Sequence, residues 1–259
     1  MRKSFVVLSS LLALCGSLLA MPAASAAVVT INVSTVSVDI GVPFKVSGKA
    51  TNQQVGDPVK IQVQRPGSTR WVTVKTVLLK AKRTYATRIK LSAVGDNKVR
   101  VKSARLASPY LTVTAYTWLD LTAQGHIAVT DVHYMGTTVQ MGGKSYPRSI
   151  YAFDSGYWIW SVQRCTAVKM ALGRAEDFLT PTGSYSMTID TYKDGVLTPG
   201  LTYPVDAGPY AITKLLPAGT DGFSITVAGF TGEVDAGLGT PRIRCAVPAL
   251  TMNPDDFNL

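Results

Sequence analysis

The stretch Pro58-Val59-Lys60-Ile61-Gln62-Val63-Gln64 alternates apolar and polar side chains with a period of two. Successive side chains of a strand point to opposite faces of a sheet. The pattern therefore predicts a half-buried β-strand with Val59, Ile61 and Val63 on its buried face. The same alternation recurs on both sides of this stretch, so the sequence favours a protein built from sheets.

About seven short strands of this kind are predicted in residues 27–113. Turn sequences such as Arg65-Pro66-Gly67-Ser68 and Gly95-Asp96-Asn97 separate them, because glycine, proline and asparagine favour chain reversal. Residues 110–115 are expected to form the last strand. A series of short strands without a helix predicts an immunoglobulin-like β-sandwich over residues 27–116.

The rest of the chain also consists of short apolar stretches broken by glycine and proline. Residues 165–178 have a helical spacing at Ala167 and Met170, but Val168 and the interrupting Gly173 favour a strand. Further strands are expected at residues 184–191, 210–215, 223–228 and 241–245. Eight or more strands predict a jelly-roll sandwich over residues 117–259, and the fold class is therefore all-β.

The positive charge is concentrated in the first of these segments. The chain has 26 Lys and Arg residues against 16 Asp and Glu residues, a net charge of +10. Residues 27–113 contain 15 basic and three acidic side chains, whereas residues 114–259 contain nine basic and 13 acidic ones. A basic surface favours anionic partners, so residues 27–113 are expected to supply one.

Several basic residues lie next to apolar residues in the predicted strands, so the pleat should turn them toward solvent. These candidates for polyanion binding are Lys60, Arg88, Lys90, Arg100 and Lys102. An alternative is a solvated sheet surface that discourages edge pairing. Anionic wall polymers or acidic polysaccharides are the favoured partners. Nucleic acid is the weaker choice, because most aromatic residues of this segment suit a core and not base stacking.

Residues 1–26 resemble an export signal. Arg2 and Lys3 precede an apolar stretch at residues 5–19, and Ala24-Ser25-Ala26 fits a cleavage site. A lipoprotein signal ending at Cys15 is the alternative, but a small residue is expected where Leu14 stands. No later stretch is apolar enough to span a membrane. The sequence predicts a secreted protein, extracellular or associated with a cell wall.

Export leaves two cysteines, Cys165 and Cys245, in an oxidising compartment. They are expected to form a disulfide, since they match neither a zinc site nor a C-x-x-C redox pair. The chain between these two cysteines is long. A disulfide that closes it stabilises the fold mainly by restricting the conformations of the unfolded chain.

Both segments resemble known families. The first resembles the Ig-like modules of bacterial surface proteins through Val46-Ser47-Gly48-Lys49-Ala50, Pro58–Gln64, Trp71-Val72-Thr73-Val74 and Ser108-Pro109-Tyr110-Leu111-Thr112-Val113. These modules are usually spacers or adhesive surfaces, and the resemblance implies no catalytic residues.

The second segment resembles the NPCBM family, novel putative carbohydrate-binding modules with a galactose-binding-like jelly roll. The residues that carry this resemblance are Trp118-Leu119-Asp120-Leu121, Lys144-Ser145-Tyr146-Pro147-Arg148-Ser149-Ile150, Trp160-Ser161-Val162 with Cys165, Tyr185-Ser186-Met187-Thr188-Ile189-Asp190, Asp194-Gly195 and Gly239-Thr240-Pro241-Arg242-Ile243-Arg244-Cys245. The resemblance implies saccharide binding. Leu238 lies in the region where the family usually has a tryptophan.

A sugar site needs flat aromatic faces and planar polar groups. The candidate ligand-binding residues are Tyr134, Arg148, Tyr151, Asp154, Tyr157 and Trp158. Tyr157 and Trp158 are expected to be exposed beside the turn Asp154-Ser155-Gly156, whereas Trp118 and Trp160 are expected in the core. Core packing is the alternative for each ring.

No catalytic motif accompanies the two histidines, His126 and His133. No cofactor is predicted, and Asp190 and Asp194 alone are too few for a calcium site. The sequence therefore predicts a non-catalytic protein that binds cell-wall or extracellular saccharide. The alternative is a structural or protein-interaction role without sugar binding. The oligomeric state does not follow from the sequence.

Overall fold

The computed structural model describes residues 28–51, 53–129, 133–176, 183–206, 208–232 and 234–252. The predicted signal peptide lies outside the described residues. Within them the chain forms nineteen strands and two short 3-10 turns, Ala81–Arg83 and Leu121–Ala123. The all-β prediction is confirmed.

Nineteen strands follow one another along the described part of the chain. They are β1 (Asn32–Val33), β2 (Ser37–Asp39), β3 (Phe44–Lys49), β4 (Pro58–Gln64), β5 (Trp71–Leu78), β6 (Thr84–Ile89), β7 (Gly95–Ser103), β8 (Leu106–Ala107), β9 (Leu111–Asp120), β10 (Ile127–Val129), β11 (His133–Met141), β12 (Lys144–Ala152), β13 (Gly156–Ser161), β14 (Cys165–Arg174), β15 (Ser184–Lys193), β16 (Val196–Val205), β17 (Tyr210–Leu215), β18 (Gly222–Thr231) and β19 (Ala236–Cys245).

Two sheets face each other in the N-terminal half. One has the order β1-β3-β6, and the other runs β9-β7-β4-β5, with the short β2 parallel to β9. The alternating side chains of β4 behave as predicted, since Val59, Ile61 and Val63 are buried. They form a core between the two sheets with other buried residues, among them Val46 and Val101.

The predicted turn Gly95-Asp96-Asn97 is wrong, because β7 begins at Gly95. The reversal comes earlier in the chain. The buried Asn97 amide donates hydrogen bonds to the carbonyls of Ala93 and Gly95 at 2.8 and 2.9 Å, so the asparagine holds the end of the turn from inside the strand.

The C-terminal half is a second pair of sheets. One has the order β10-β13-β18-β15-β16, and the facing one joins β11, β12, β19, β14 and β17. Trp160 and Phe223 stack at 5.0 Å in the core between them, and Trp160 Nε1 donates to the Leu121 carbonyl at 3.2 Å. Trp160 is therefore a core residue, as predicted.

The disulfide Cys165–Cys245 is present, as predicted. The two residues lie opposite each other on β14 and β19. The preference for a strand after Cys165 is also confirmed, because Val168, Met170 and Leu172 alternate into the core. The helical spacing in this stretch is coincidental.

Strand β9 belongs to both halves. Its residues 111–115 pair with 95–99 of β7, and its residues 117–120 pair with 242–245 of β19. The predicted domain boundary between residues 116 and 117 falls inside this strand. An eleven-stranded sheet, called here the shared sheet, therefore runs through both halves, while the three-stranded and five-stranded sheets each cover part of its inner side.

Candidate functional site

The outer side of the shared sheet carries a series of basic residues. Directly paired residues in a sheet project from the same face, as do alternate residues of one strand. The pairs Lys60 with Lys102, Lys98 with Thr112, Arg244 with Trp118 and Lys169 with Arg242 therefore place their side chains on one side. We call this surface the cationic face. Its basic residues are Lys60, Lys98, Arg100, Lys102, Lys169, Arg242 and Arg244.

Aromatic rings lie between these cations. Four cation–π contacts occur among the described residues, and all four are on the cationic face. The distances from cation to ring centroid are 4.8 Å for Lys98 and Tyr110, 3.9 Å for Arg100 and Trp71, 4.0 Å for Lys169 and Trp118, and 4.0 Å for Arg244 and Tyr116. The rings hold the cations over the sheet without neutralising their charge.

Three carboxylates on this side of the sheet each form an ion pair with an arginine. Asp39 pairs with Arg244, Asp96 with Arg164 and Asp120 with Arg148, at 2.5, 2.5 and 3.3 Å. Within the described residues, the other six cations of the face have no carboxylate within 4.0 Å. A positive field therefore extends over both halves.

The Asp96 carboxylate illustrates how these pairs are held. Its Oδ1 accepts hydrogen bonds from the Thr114 hydroxyl at 2.8 Å and from the Arg164 guanidinium. The hydrogen bond from the Thr114 hydroxyl, together with the hydrogen bond and the positive charge of Arg164, lowers the pKa of Asp96 below its ordinary value. Asp96 therefore remains ionised in mildly acidic solution and continues to neutralise Arg164.

Cationic-face residues line several depressions, one with Asp39 beside Arg244 and one with Asp96 beside Lys98. Two further ones have no carboxylate among their described lining residues. The first, of about 380 Å³, is lined by Lys60, Gln62, Thr73 and Lys102. The second, of about 350 Å³, lies in the C-terminal half between Tyr146, Lys169 and Arg242. Both volumes are at the small end of the roughly 300–1,000 Å³ typical of ligand sites.

The structure separates the five predicted polyanion-binding residues. Lys60, Arg100 and Lys102 lie together on the cationic face. Arg88 lies opposite Lys45 on the three-stranded sheet, and Lys90 follows the end of that strand. The prediction omitted Lys98, and it overlooked the basic residues of the C-terminal half because the net charge of that half is negative. Pairing register was the signal it lacked.

The predicted sugar-binding residues do not converge on one site. Tyr134 and Tyr151 do approach each other, with nearly parallel rings 6.4 Å apart, and Phe153 packs on Tyr151 at 4.5 Å. Tyr151, however, is buried, and its hydroxyl donates to Asp235 at 2.7 Å. Tyr134 is 61% exposed and remains a candidate for contact with a ligand.

The expectation that Trp158 is exposed is wrong. Its side chain is completely buried on β13, because alternate residues Trp158 and Trp160 share the core face of that strand. Tyr157 is half-buried on the other face. Trp118, expected in the core, is instead half-buried on the cationic face beneath Lys169.

The remaining two candidates have local roles in the structure. Arg148 pairs with Asp120. Asp154 lies in the bend between β12 and β13 and accepts a hydrogen bond from the backbone N–H of Ser155 at 2.6 Å. The ligand-binding assignment of these six residues stays a prediction.

No three His, Cys, Asp or Glu side chains in the described part of the chain come close enough together to hold a metal ion. Over the same residues, no helix has the length and apolar character needed to cross a membrane.

No protein-family model matches the chain, and no curated protein matches it significantly. Among solved structures, the CBM51-2 and INT domains of Clostridium perfringens ZmpB are 12% identical, with a TM-score of 0.40 over 72% of this chain and 40% of that one. CBM51-2 in complex with GlcNAc and INT domains from the same protein give 11% identity and a TM-score of 0.40, covering 83% and 48% of the two chains.

A third similar structure is the K2 cleaved adhesin domain of Lys-gingipain (Kgp), with 17% identity and a TM-score of 0.31 over 49% of this chain and 88% of that one. The chain spans less than half the length of the two ZmpB structures. Similarity of this degree assigns no function to the chain. The resemblances to NPCBM and Ig-like modules therefore stay predictions.

Proposed function

We propose that this is a secreted, non-catalytic protein that binds an anionic polysaccharide of a cell wall or extracellular matrix across its cationic face. The observation that carries the proposal is the distribution of the four cation–π pairs, which lie on one face that crosses both halves. Six cations of this face have no carboxylate partner among the described residues, so their charge is available to a polyanion.

The rings distinguish this surface from a purely solvated basic sheet. Half-buried Trp71 and Trp118 place flat apolar surface beside cations. Such a combination suits a polymer that has both acidic groups and C–H faces, as acidic polysaccharides do. The depressions on the face add concave contact area in each half.

The lining of these depressions supports a binding role over a catalytic one. Glycoside hydrolysis generally needs two carboxyl groups about 5 to 10 Å apart. The depressions beside Lys60 and Lys169 have no carboxylate among their described lining residues. The depressions beside Arg244 and Lys98 have one each, Asp39 and Asp96, and both are paired with an arginine. The disulfide fits an exported protein, since such bonds persist in oxidising compartments.

The proposal is tested by comparing dextran sulfate with neutral dextran as immobilised ligands for residues 27–259. We expect retention on the sulfated polymer only, weakening as salt rises. The double variant Lys60→Gln/Lys102→Gln should lose roughly fivefold in affinity per lysine, taking about 1 kcal/mol for each basic residue near an anionic surface.

The matched control removes two exposed lysines outside the cationic face, Lys49→Gln/Lys90→Gln. It has the same net charge as the first double variant. Equal losses in the two variants would mean that overall charge, and not the cationic face, retains the polymer. Retention that does not weaken as the salt concentration rises would also refute the proposal.

A structural or protein-interaction role is the second candidate. The edge strand β16 favours it, because Val196 and Leu201 are 66% and 59% exposed there. An edge strand that exposes apolar side chains can pair with a strand of another chain. If this role is correct, Leu201→Lys should abolish association with the partner protein. The double variant Lys60→Gln/Lys102→Gln should leave that association unchanged.

A further inference from the structure

The depression in the C-terminal half, called here the groove, is a shaped site within the cationic face. Small residues lie in register along its floor on three adjacent strands, Ala211 of β17, Ala171 of β14 and Gly239 of β19. Met170 and Ile212 also line the groove, but their side chains pack into the core on the other side of the sheet. Tyr146 lines one side of the groove, and Lys169 and Arg242 line another. A floor without long side chains lets a flat ring lie close to the sheet.

The absence of a side chain at Gly239 brings Tyr146 down onto the sheet. A Cβ atom at this position would lie 2.6 Å from Cδ1 of Tyr146, closer than two carbon atoms can approach without displacement. The ring therefore rests on the backbone of β19. It is half-buried and forms a fixed aromatic wall of the groove.

The cations of the groove are held in place but not neutralised. Lys169 and Arg242 are direct partners in the pairing of β14 with β19. The Lys169 ammonium lies over the Trp118 ring at 4.0 Å, which limits its conformations. Neither residue has a carboxylate within 4.0 Å in the described part of the chain, whereas the three neighbouring arginines Arg148, Arg164 and Arg244 each have one.

These features together select the ligand chemistry. The planar fork of an arginine such as Arg242 suits the two oxygens of a carboxylate. The Tyr146 ring and the alanine floor suit the C–H face of a pyranose. The Thr213 hydroxyl lines the groove, and the Thr240 hydroxyl, which donates to the Pro147 carbonyl at 2.9 Å, can still accept from a sugar hydroxyl. A linear phosphate chain would satisfy the cations but leave the ring and the floor without contacts.

We infer that the groove binds one hexuronate residue of an acidic polysaccharide, with its carboxylate toward Lys169 and Arg242 and its ring toward Tyr146. This inference rests on the proposed function and narrows its ligand to a carboxylated pyranose. The rest of the cationic face then acts on the polymer through charge, while the groove supplies selectivity.

The test uses trigalacturonic acid and its methyl ester, titrated calorimetrically into residues 27–259. The ester keeps the sugar rings and removes the charges. We expect the acid to bind and the ester to bind at least about tenfold more weakly, as for loss of charge-assisted hydrogen bonds. Binding of the acid should also quench or shift the tryptophan fluorescence of the protein. This change should be absent in Trp118→Phe, which assigns it to Trp118. Equal binding of acid and ester would overturn the inference.

Variants locate the site. Arg242→Gln should lower affinity for the acid about tenfold or more, and Tyr146→Ala should also weaken it. Tyr146→Phe retains the ring and should bind as the parent protein does. Urea unfolding of Tyr146→Ala, compared with the parent, separates a stacking role from a folding defect. Lys193→Gln removes a cation from β15 on the five-stranded sheet and serves as the charge-matched control for Arg242→Gln. Unchanged affinity in Arg242→Gln would overturn the inference.

The two proposals fail in different ways. Retention on dextran sulfate without binding of trigalacturonic acid would overturn the groove assignment and leave the proposed function intact. Loss of both would refute the proposed function. Equal affinity for linear polyphosphate and trigalacturonic acid would mean that the groove recognises charge alone, which also overturns the assignment to a hexuronate.

Discussion

Arg244 and Asp39 are 205 residues apart in sequence and form an ion pair with Nε 2.5 Å from Oδ1. Asp39 ends the short parallel strand β2 of the N-terminal half, and Arg244 belongs to the last strand of the C-terminal half. The arginine also donates to Thr166 and stacks on Tyr116. The pair thus ties the two halves together beside the shared strand β9.

Removing the carboxylate from this pair should destabilise the protein. We expect Asp39→Asn to lower the free energy of unfolding by about 1–2 kcal/mol, because the partly buried Arg244 loses its only carboxylate among the described residues. Urea unfolding followed by tryptophan fluorescence measures the change. Asp154→Asn, on an exposed bend, is the control and should cost less than about 0.5 kcal/mol.

The disulfide should make a larger contribution. Cys165 and Cys245 close a loop with a sequence separation of 80. The chain-entropy model assigns a loop of this size roughly 4 to 5 kcal/mol. Replacing both cysteines by alanine should lower the unfolding free energy of residues 27–259 by a similar amount, measured by urea unfolding. A reductant should destabilise the parent protein and leave the double variant unchanged. An equal effect on both proteins would contradict this prediction.

The contacts of Asp96 with Thr114 and Arg164 should give a pH-dependent contribution to stability. Because the folded-state pKa of Asp96 is lowered, its stabilisation is present above the unfolded-state pKa of about 3.9 and is lost as pH falls through the folded value. Asp96→Asn should therefore cost about 0.2–1 kcal/mol near neutral pH, the range for exposed pairs. The difference between the two proteins should shrink in acid, as unfolding titrations at several pH values would measure. A difference that grows in acid would contradict the assignment.

Placing a methyl group at Gly239 should disturb the wall of the groove. We expect Gly239→Ala to lower stability by about 1–3 kcal/mol, because the added Cβ meets Tyr146 and Met141 at 2.6 and 2.7 Å. Thermal unfolding measures the loss. In a Tyr146→Ala background the added cost of Gly239→Ala should be smaller, since one of the two clashes is gone. Strict additivity would show that the glycine is required for another reason.

Local patterning was sufficient to predict the strands. Apolar side chains two positions apart identified β4, and residues 210–215 were predicted with the bounds that β17 has in the structure. Where a glycine and an asparagine suggested a turn at residues 95–97, tertiary pairing overrode the local preference and extended β7. Local propensity also could not show that β9 continues from one half into the other, since that depends on partners distant in sequence.

The candidate site was harder to predict because it depends on register. Lys60 and Lys102 were identified by alternation within their own strands, yet only pairing reveals that they are neighbours. Lys169, Arg242 and Trp118 come from three strands distant in sequence and meet only in the folded sheet. Trp158 was misplaced for the opposite reason, because the proximity of a turn was given more weight than its parity with Trp160.

Strand β9 is hydrogen-bonded to neighbouring strands in both halves. No flexible linker therefore separates the positive charges of the N-terminal half from those of the C-terminal half. A polymer stretched over the molecule meets a row of contacts with fixed intervals. Its stiffness and the repeat distance between its acidic groups, and not charge density alone, should then decide which polymer is retained most strongly.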